Sequence, residues 1–198
     1  MTVHRKKIGL IGVGGAGCHI VAQLLEQSTI PDTTLLIDRD EQSLAQYTES
    51  MRLLIVQDAL PKPLCSAPPQ WSRQALLNSA ENIANRVSGL DAVVIVAGLG
   101  GSTSTGAVPA VASLCKDRSL YTAAVVSSPF KFEGKKRVQQ AQVVLDELNQ
   151  STDKTFHIPN NGLLELVPGT TMMGECYRLL DTMLVLWVKD CLERITHQ

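Results

Sequence analysis

The chain has 198 residues, a length that suits one domain and can bury a sizeable core without staples. Its composition is that of a globular protein with few aromatic residues, and a formal net charge of -1 gives no electrostatic case for a nucleic-acid partner. The five cysteines, Cys18, Cys65, Cys115, Cys176 and Cys191, form no C-x-x-C pair and are odd in number, which favours buried free thiols in a reducing compartment over metal ligands or disulfides.

The N-terminus, "MTVHRKK", runs straight into a strand pattern. No signal-peptide pattern and no apolar run of about 18 residues is present, so the expectation is a cytoplasmic protein without a direct membrane anchor. The first apolar run, "IGLIG" (8–12), leads through a glycine turn into a helical pattern at 15–27. Strands are predicted next at 33–38 ("TTLLID") and 52–56 ("RLLIV"). The stretch "DALPKPLCSAPPQW" (58–71) holds four prolines and predicts a long loop with no helix, either on the binding edge or as a disordered surface insertion. A helix at about 72–88, a strand at 91–97 ("DAVVIVA"), a helix at 103–117 and a strand at 121–127 ("YTAAVVS") follow. Helix 134–149, strand 154–158 ("KTFHI") and a final helix at 174–196 complete the order.

Strands apolar on both faces and separated by helices predict an α/β protein. The expected architecture is a Rossmann-like three-layer fold, with a mostly parallel sheet, helices on both faces, and the long C-terminal helix closing it. The whole chain, 1–198, is read as one domain with no second domain. In the final helix Leu179, Leu180, Met183, Leu184, Leu186, Trp187, Cys191 and Ile195 make an apolar face wider than one stripe, so it needs cover on more than one side.

Two stretches carry chemistry. In "GVGGAG" (12–17), Gly12, Gly14 and Gly17 match G-x-G-x-x-G between a strand and a helix, and Asp38 ends the second strand near the place of a ribose-binding acid. Taken alone this fits an NAD(P)-binding Rossmann enzyme, any other phosphate binder, or a tight strand-to-helix turn. The second stretch, "AGLGGSTSTGAVPAV" (97–111), is another strand, glycine loop and helix start. Two such loops on one sheet edge would surround a polyphosphate with backbone donors. The hydroxyls of Ser102, Thr103, Ser104 and Thr105 would add to them, although one of these would suffice for plain helix capping. The pattern G-x-x-x-x-G-K-[ST] does not occur, which excludes a P-loop NTPase.

In order and spacing, "GVGGAG", "GGSTSTGAVPAVA", "SSPFKFEGKKR" and "IPNNGLLEL" resemble the nucleotide-binding half of the FtsZ family, the tubulin-like division GTPases. The resemblance implies a guanine-nucleotide (GTP or GDP) binding domain, with Mg2+ accompanying GTP. It implies phosphate contacts from Gly14, Gly15, Gly100, Gly101, Thr103 and Gly106, with Ser102 and Ser104 replacing two glycines of the family signature. It places Glu133 on the ribose hydroxyls, Arg137 beside sugar and base, and Asn160 on the base from the loop after strand six. Tyr177 would stack on guanine, and Asp181 would read its edge. An ionised carboxylate accepts both N1–H and the 2-amino group of guanine, whereas adenine offers an acceptor at N1. The spacing of four residues sets Tyr177 and Asp181 side by side on a helix.

Three departures from the family pattern shape the expected activity. Cys18 and His19 stand where the family has Gly and Asn; Cys18 would crowd the phosphate loop or lie buried, and His19 would donate to phosphate. The proline-rich stretch falls where the family encloses the γ-phosphate. The chain also stops just after the long helix, where the family continues into an activating loop and a second domain. The implied protein binds guanine nucleotide without a catalytic residue or metal ligand of its own, and is at most a slow or partner-dependent GTPase. It would act as a homo-oligomer or with an FtsZ-type partner, through the C-terminal helix or the nucleotide face. The rival readings are the NAD(P) enzyme and a degenerate scaffold that binds nothing.

Overall fold

The computed structural model describes residues 5–27, 31–55 and 69–196. In chain order its regular elements are β1 (Ile8–Val13), α1 (Gly14–Glu26), β2 (Thr33–Asp38), α2 (Glu41–Ala45), β3 (Arg52–Leu54), α3 (Pro69–Asn78), α4 (Ala80–Arg86), β4 (Ala92–Gly98), α5 (Ser102–Lys116), β5 (Tyr121–Ser128), α6 (Lys135–Ser151), β6 (Lys154–Pro159), α7 (Asn160–Leu164) and α8 (Met173–Thr196). Short 3-10 turns occupy Glu49–Met51 and Lys131–Glu133.

The strands form one sheet in the order β3-β2-β1-β4-β5-β6, and every pair is parallel. Their side chains alternate between two buried clusters. Ile11, Ile95 and Val126 face the layer that contains α3, α4, α5 and α6, while Leu10, Val94 and Val125 face α1 and α8. This is the expected doubly wound architecture.

At the opposite rim, aspartates tie down the strand starts. Asp32 and Asp91 accept the N–H groups of Ile8 and Lys7 at 2.8 and 2.7 Å, and Asp153 accepts that of Thr122 at 2.8 Å. At the binding rim, Gly17 lets α1 settle on β4: a Cβ there would lie 2.2 Å from the Val96 carbonyl oxygen.

Three boundaries differ from expectation. The helix predicted at 72–88 is two helices that break at Ser79, whose hydroxyl bonds back to Ala75 O at 3.2 Å and whose N–H bonds Leu76 O at 2.9 Å. The loop expected over 58–71 gives way to α3 at Pro69, because a first-turn proline lacks only an N–H that has no helical acceptor there. The rest of that stretch, with Cys65, lies outside the described residues. Asn160, expected in a loop, opens the short helix α7.

Helix α8 buries Cys176, Leu180, Leu184, Val185, Val188, Cys191, Leu192 and Ile195. Leu186 and Trp187 stay 58% and 42% exposed on its other side. The Trp187 ring lies 5.6 Å from that of Phe156 on β6. Among the described residues no helix is long and apolar enough to cross a membrane, and no group of three potential metal ligands is found.

Candidate nucleotide site

Sheet order decides the site. β1 and β4 are neighbours in register, Val13 beside Ala97, so the glycine loops that follow them meet at the point where the chain winding reverses. Gly14 and Gly100 have φ of 73° and 87°, a region open mainly to glycine. The loops touch: a Cβ on Gly14 would stand 3.7 Å from Ser104 N.

Both loops feed helices whose first turns have neither an acidic residue nor a side-chain cap. Here α1 and α5 direct two bare N-termini, each the positive end of its dipole, into one cavity of about 340 Å³. That size falls within the range of roughly 300–1,000 Å³ usual for small-ligand sites.

The cavity brings together Gly14, Gly15, Gly101, Ser102, Thr103, Ser104, Glu133, Arg137, Asn160, Tyr177 and Asp181. Gly100, Thr105 and Gly106 are not among the residues lining this cavity. Gly100 is packed against Pro129 and the Arg137 backbone. Thr105 Oγ1 donates back to Gly101 O at 2.6 Å. Gly106 faces α3, where a Cβ would stand 1.9 Å from Pro69 O, so this glycine serves helix–helix contact. The hydroxyls also have partners within the protein: Ser104 Oγ bonds Gly101 O at 3.3 Å, and Thr103 Oγ1 donates to Asp38 Oδ1 at 3.0 Å. Ser102 Oγ accepts from Arg39 Nη2 at 3.0 Å.

Arg39, buried beside Asp38, is thus a member of this rim that the motifs did not assign to it. Asp38 also accepts the Arg39 N–H at 2.7 Å, and through Thr103 it ties down the start of α5 after the second glycine loop. The signal for it was its position at the C-terminal end of β2, next to β1. Cys18 does not crowd the loop. It is buried behind it, with Sγ 3.6 Å from Gly12 O and 3.7 Å from Ile37 O, and burial, helped by the Asp38 charge, pushes its thiol up to about 12.

The far end of the cavity suits a sugar and base. Glu133 accepts the Phe130 N–H at 2.8 Å and pairs with Arg137 at 2.9 Å. The Tyr177 ring, 42% exposed, meets Phe130 edge-on with centroids 5.4 Å apart. Burial raises the Tyr177 hydroxyl above its ordinary value, and the Glu133 charge adds to this. Asn160 is only 6% exposed, and its Oδ1 has no hydrogen-bond partner. Burial raises the Asp181 carboxyl above its usual range, offset in part by His19. His19 lies beside Asp181 at 3.7 Å, at this end of the site.

Two glycine loops converging at the switch point of a doubly wound parallel sheet define a nucleotide-binding α/β domain. The chain belongs to the Tubulin/FtsZ family: the family's GTPase domain matches residues 7–168. It is 32% identical over 190 residues to the cell division protein FtsZ 1 of Thermococcus kodakarensis, covering 96% of this chain and 51% of that protein. It is 33% identical over 180 residues to the cell division protein FtsZ of Helicobacter pylori, covering 90% and 47%. The chain therefore spans about half the length of these relatives. Among solved structures, an empty FtsZ dimer from M. jannaschii superimposes with a TM-score of 0.88 at 33% identity, over 100% of this chain and 57% of that one. CetZ1 from Haloferax volcanii, at 19% identity and a TM-score of 0.76, covering 90% and 58%, shares the fold.

Proposed function

We propose that this domain binds a guanine nucleotide, GTP or GDP. The observation that carries the reading is the meeting, in one cavity, of two uncapped helix N-termini and a buried amide oxygen without a partner, Asn160 Oδ1. The N-termini suit a polyphosphate, and the amide suits a polar group of the base or sugar. Glu133 offers acceptors to ribose hydroxyls, the Tyr177 ring offers a stacking face, and the Asp181 carboxylate offers acceptors for guanine N1–H and the 2-amino group. Adenine would set its N1 acceptor against that carboxylate, so the site discriminates by repulsion as well as attraction.

Nucleotide released from the purified protein and identified by chromatography tests this directly: guanine nucleotide supports it, NAD(P) or an adenine nucleotide refutes it. Asp181→Ala is expected to weaken GDP binding by about 1–3 kcal/mol, from an unpaired base edge. An unchanged affinity removes Asp181 from the site.

The same reading includes self-association through the open side of α8. Leu186, Trp187 and Phe156 line a groove there, bounded by Lys154, Asp190 and Arg194. Trp187→Glu is expected to yield monomers in analytical ultracentrifugation, and an unaltered sedimentation profile refutes that contact.

A further inference from the structure

Asp181 has a neighbour that the motifs did not connect to it. His19, on the second turn of α1, places Nε2 3.7 Å from Asp181 Oδ2 on α8 and 3.0 Å from Gln23 Nε2, one turn further along α1. The two contacts ask opposite things of the ring. A neutral imidazole with its proton on Nδ1 accepts from the Gln23 amide through Nε2; an imidazolium donates from Nε2, and its partner is the carboxylate.

Other charged groups at the site are engaged elsewhere. Glu133 and Arg137 pair with each other and act on Tyr177, while Asp38, at the end of β2, acts on Cys18. His19 is the ionisable group that bears on Asp181.

We propose that His19 is a positioning residue for base recognition, which couples guanine binding to the uptake of a proton. Asp181 must be ionised to accept two donors from guanine, and its side chain is already only 29% exposed. A base laid over Tyr177 and against Asp181 removes more of the water that stabilises the carboxylate. The imidazole at 3.7 Å then gains by protonating, because its charge replaces that water, and it leaves Gln23 for Asp181. Affinity for guanine nucleotide therefore rises as pH falls toward the acid side of neutrality.

The inference rests on the guanine reading, and the test separates the two. GDP binding is measured by calorimetry between about pH 6 and 8, in buffers of different ionisation enthalpy, for the native protein, His19→Asn and His19→Gln. GDP's own phosphate titrates identically in all three, so the difference isolates His19. The native protein is expected to take up more protons than either variant, and to gain about threefold to tenfold more affinity toward the acid end. Identical proton uptake and identical pH profiles in folded variants overturn the role of His19 and leave the guanine reading standing. Absence of GDP binding by all three at every pH overturns both.

Discussion

Gly106 offers the sharpest separation between a residue that holds nucleotide and one that holds the fold. Its place in a phosphate-loop motif suggests the first; its contacts indicate the second. In Gly106→Ala the new methyl would stand 1.9 Å from Pro69 O, 2.9 Å from Pro69 C and 2.8 Å from Arg73 N. All three are backbone atoms of α3, so no side chain can turn aside. Moving from 1.9 Å to 3.0 Å, the least that real contacts of this kind show, separates α3 from α5 by 1.1 Å (3.0 − 1.9). Alanine in mid-helix is favoured over glycine by about 1 kcal/mol. Against that stand overpacking, at about 1–3 kcal/mol, and a strained Ser72 Oγ to Ser102 O bond, 2.9 Å long and worth about 1 kcal/mol. The expected net loss is about 1–3 kcal/mol, or roughly 2–12 °C in melting temperature for a domain of this size. Urea unfolding followed by far-UV circular dichroism measures it. Gly174→Ala, in α8 with nothing within 4 Å of the new methyl, is the control and should not lose stability. A Gly106→Ala protein as stable as the native one refutes the reasoning.

Two further outcomes follow from the rim opposite the site and from the core. Burial pushes the Asp153 carboxyl up, but the hydrogen bond and charge of Lys116 and the Thr122 N–H together hold it below its ordinary value. A carboxyl depressed in the folded state stabilises above its unfolded value, about 3.9, and ceases to as pH falls through the folded value. Asp153→Asn should thus cost about 1–2 kcal/mol near pH 7, with the gap to the native protein closing as pH falls below about 3.9; a gap independent of pH would sink this account. Burial pushes the Cys18 and Cys115 thiols up to about 12. Both should resist iodoacetamide in the folded protein near pH 8 and react in urea, as read by peptide mass spectrometry; fast native labelling of either would contradict their placement.

The amino-acid sequence by itself determined that six apolar stretches alternate with helices, that glycine turns follow the first and fourth strands, and that hydroxyl residues open the helix after the second turn. These are local facts. Side-chain periodicity and the conformational needs of glycine act over a few residues and survive in a one-dimensional reading. The resemblance carried by four ordered motifs extended that reading to Glu133, Arg137, Asn160, Tyr177 and Asp181, and these line the same cavity as the glycine loops.

Only the tertiary structure decided what depends on sheet order and on how closely helices approach. β1 and β4, more than 80 residues apart, are neighbours, and that is why the two glycine loops meet at one cavity. Gly106 carries a phosphate-loop signature but lies against α3, because the distance between two backbones is invisible in either segment alone. Asp38 holds Thr103, and His19 lies beside Asp181, through contacts spanning 65 and 162 positions (181 − 19). Long-range pairings of this kind are set by the packing of whole elements, and local propensities place almost no constraint on them.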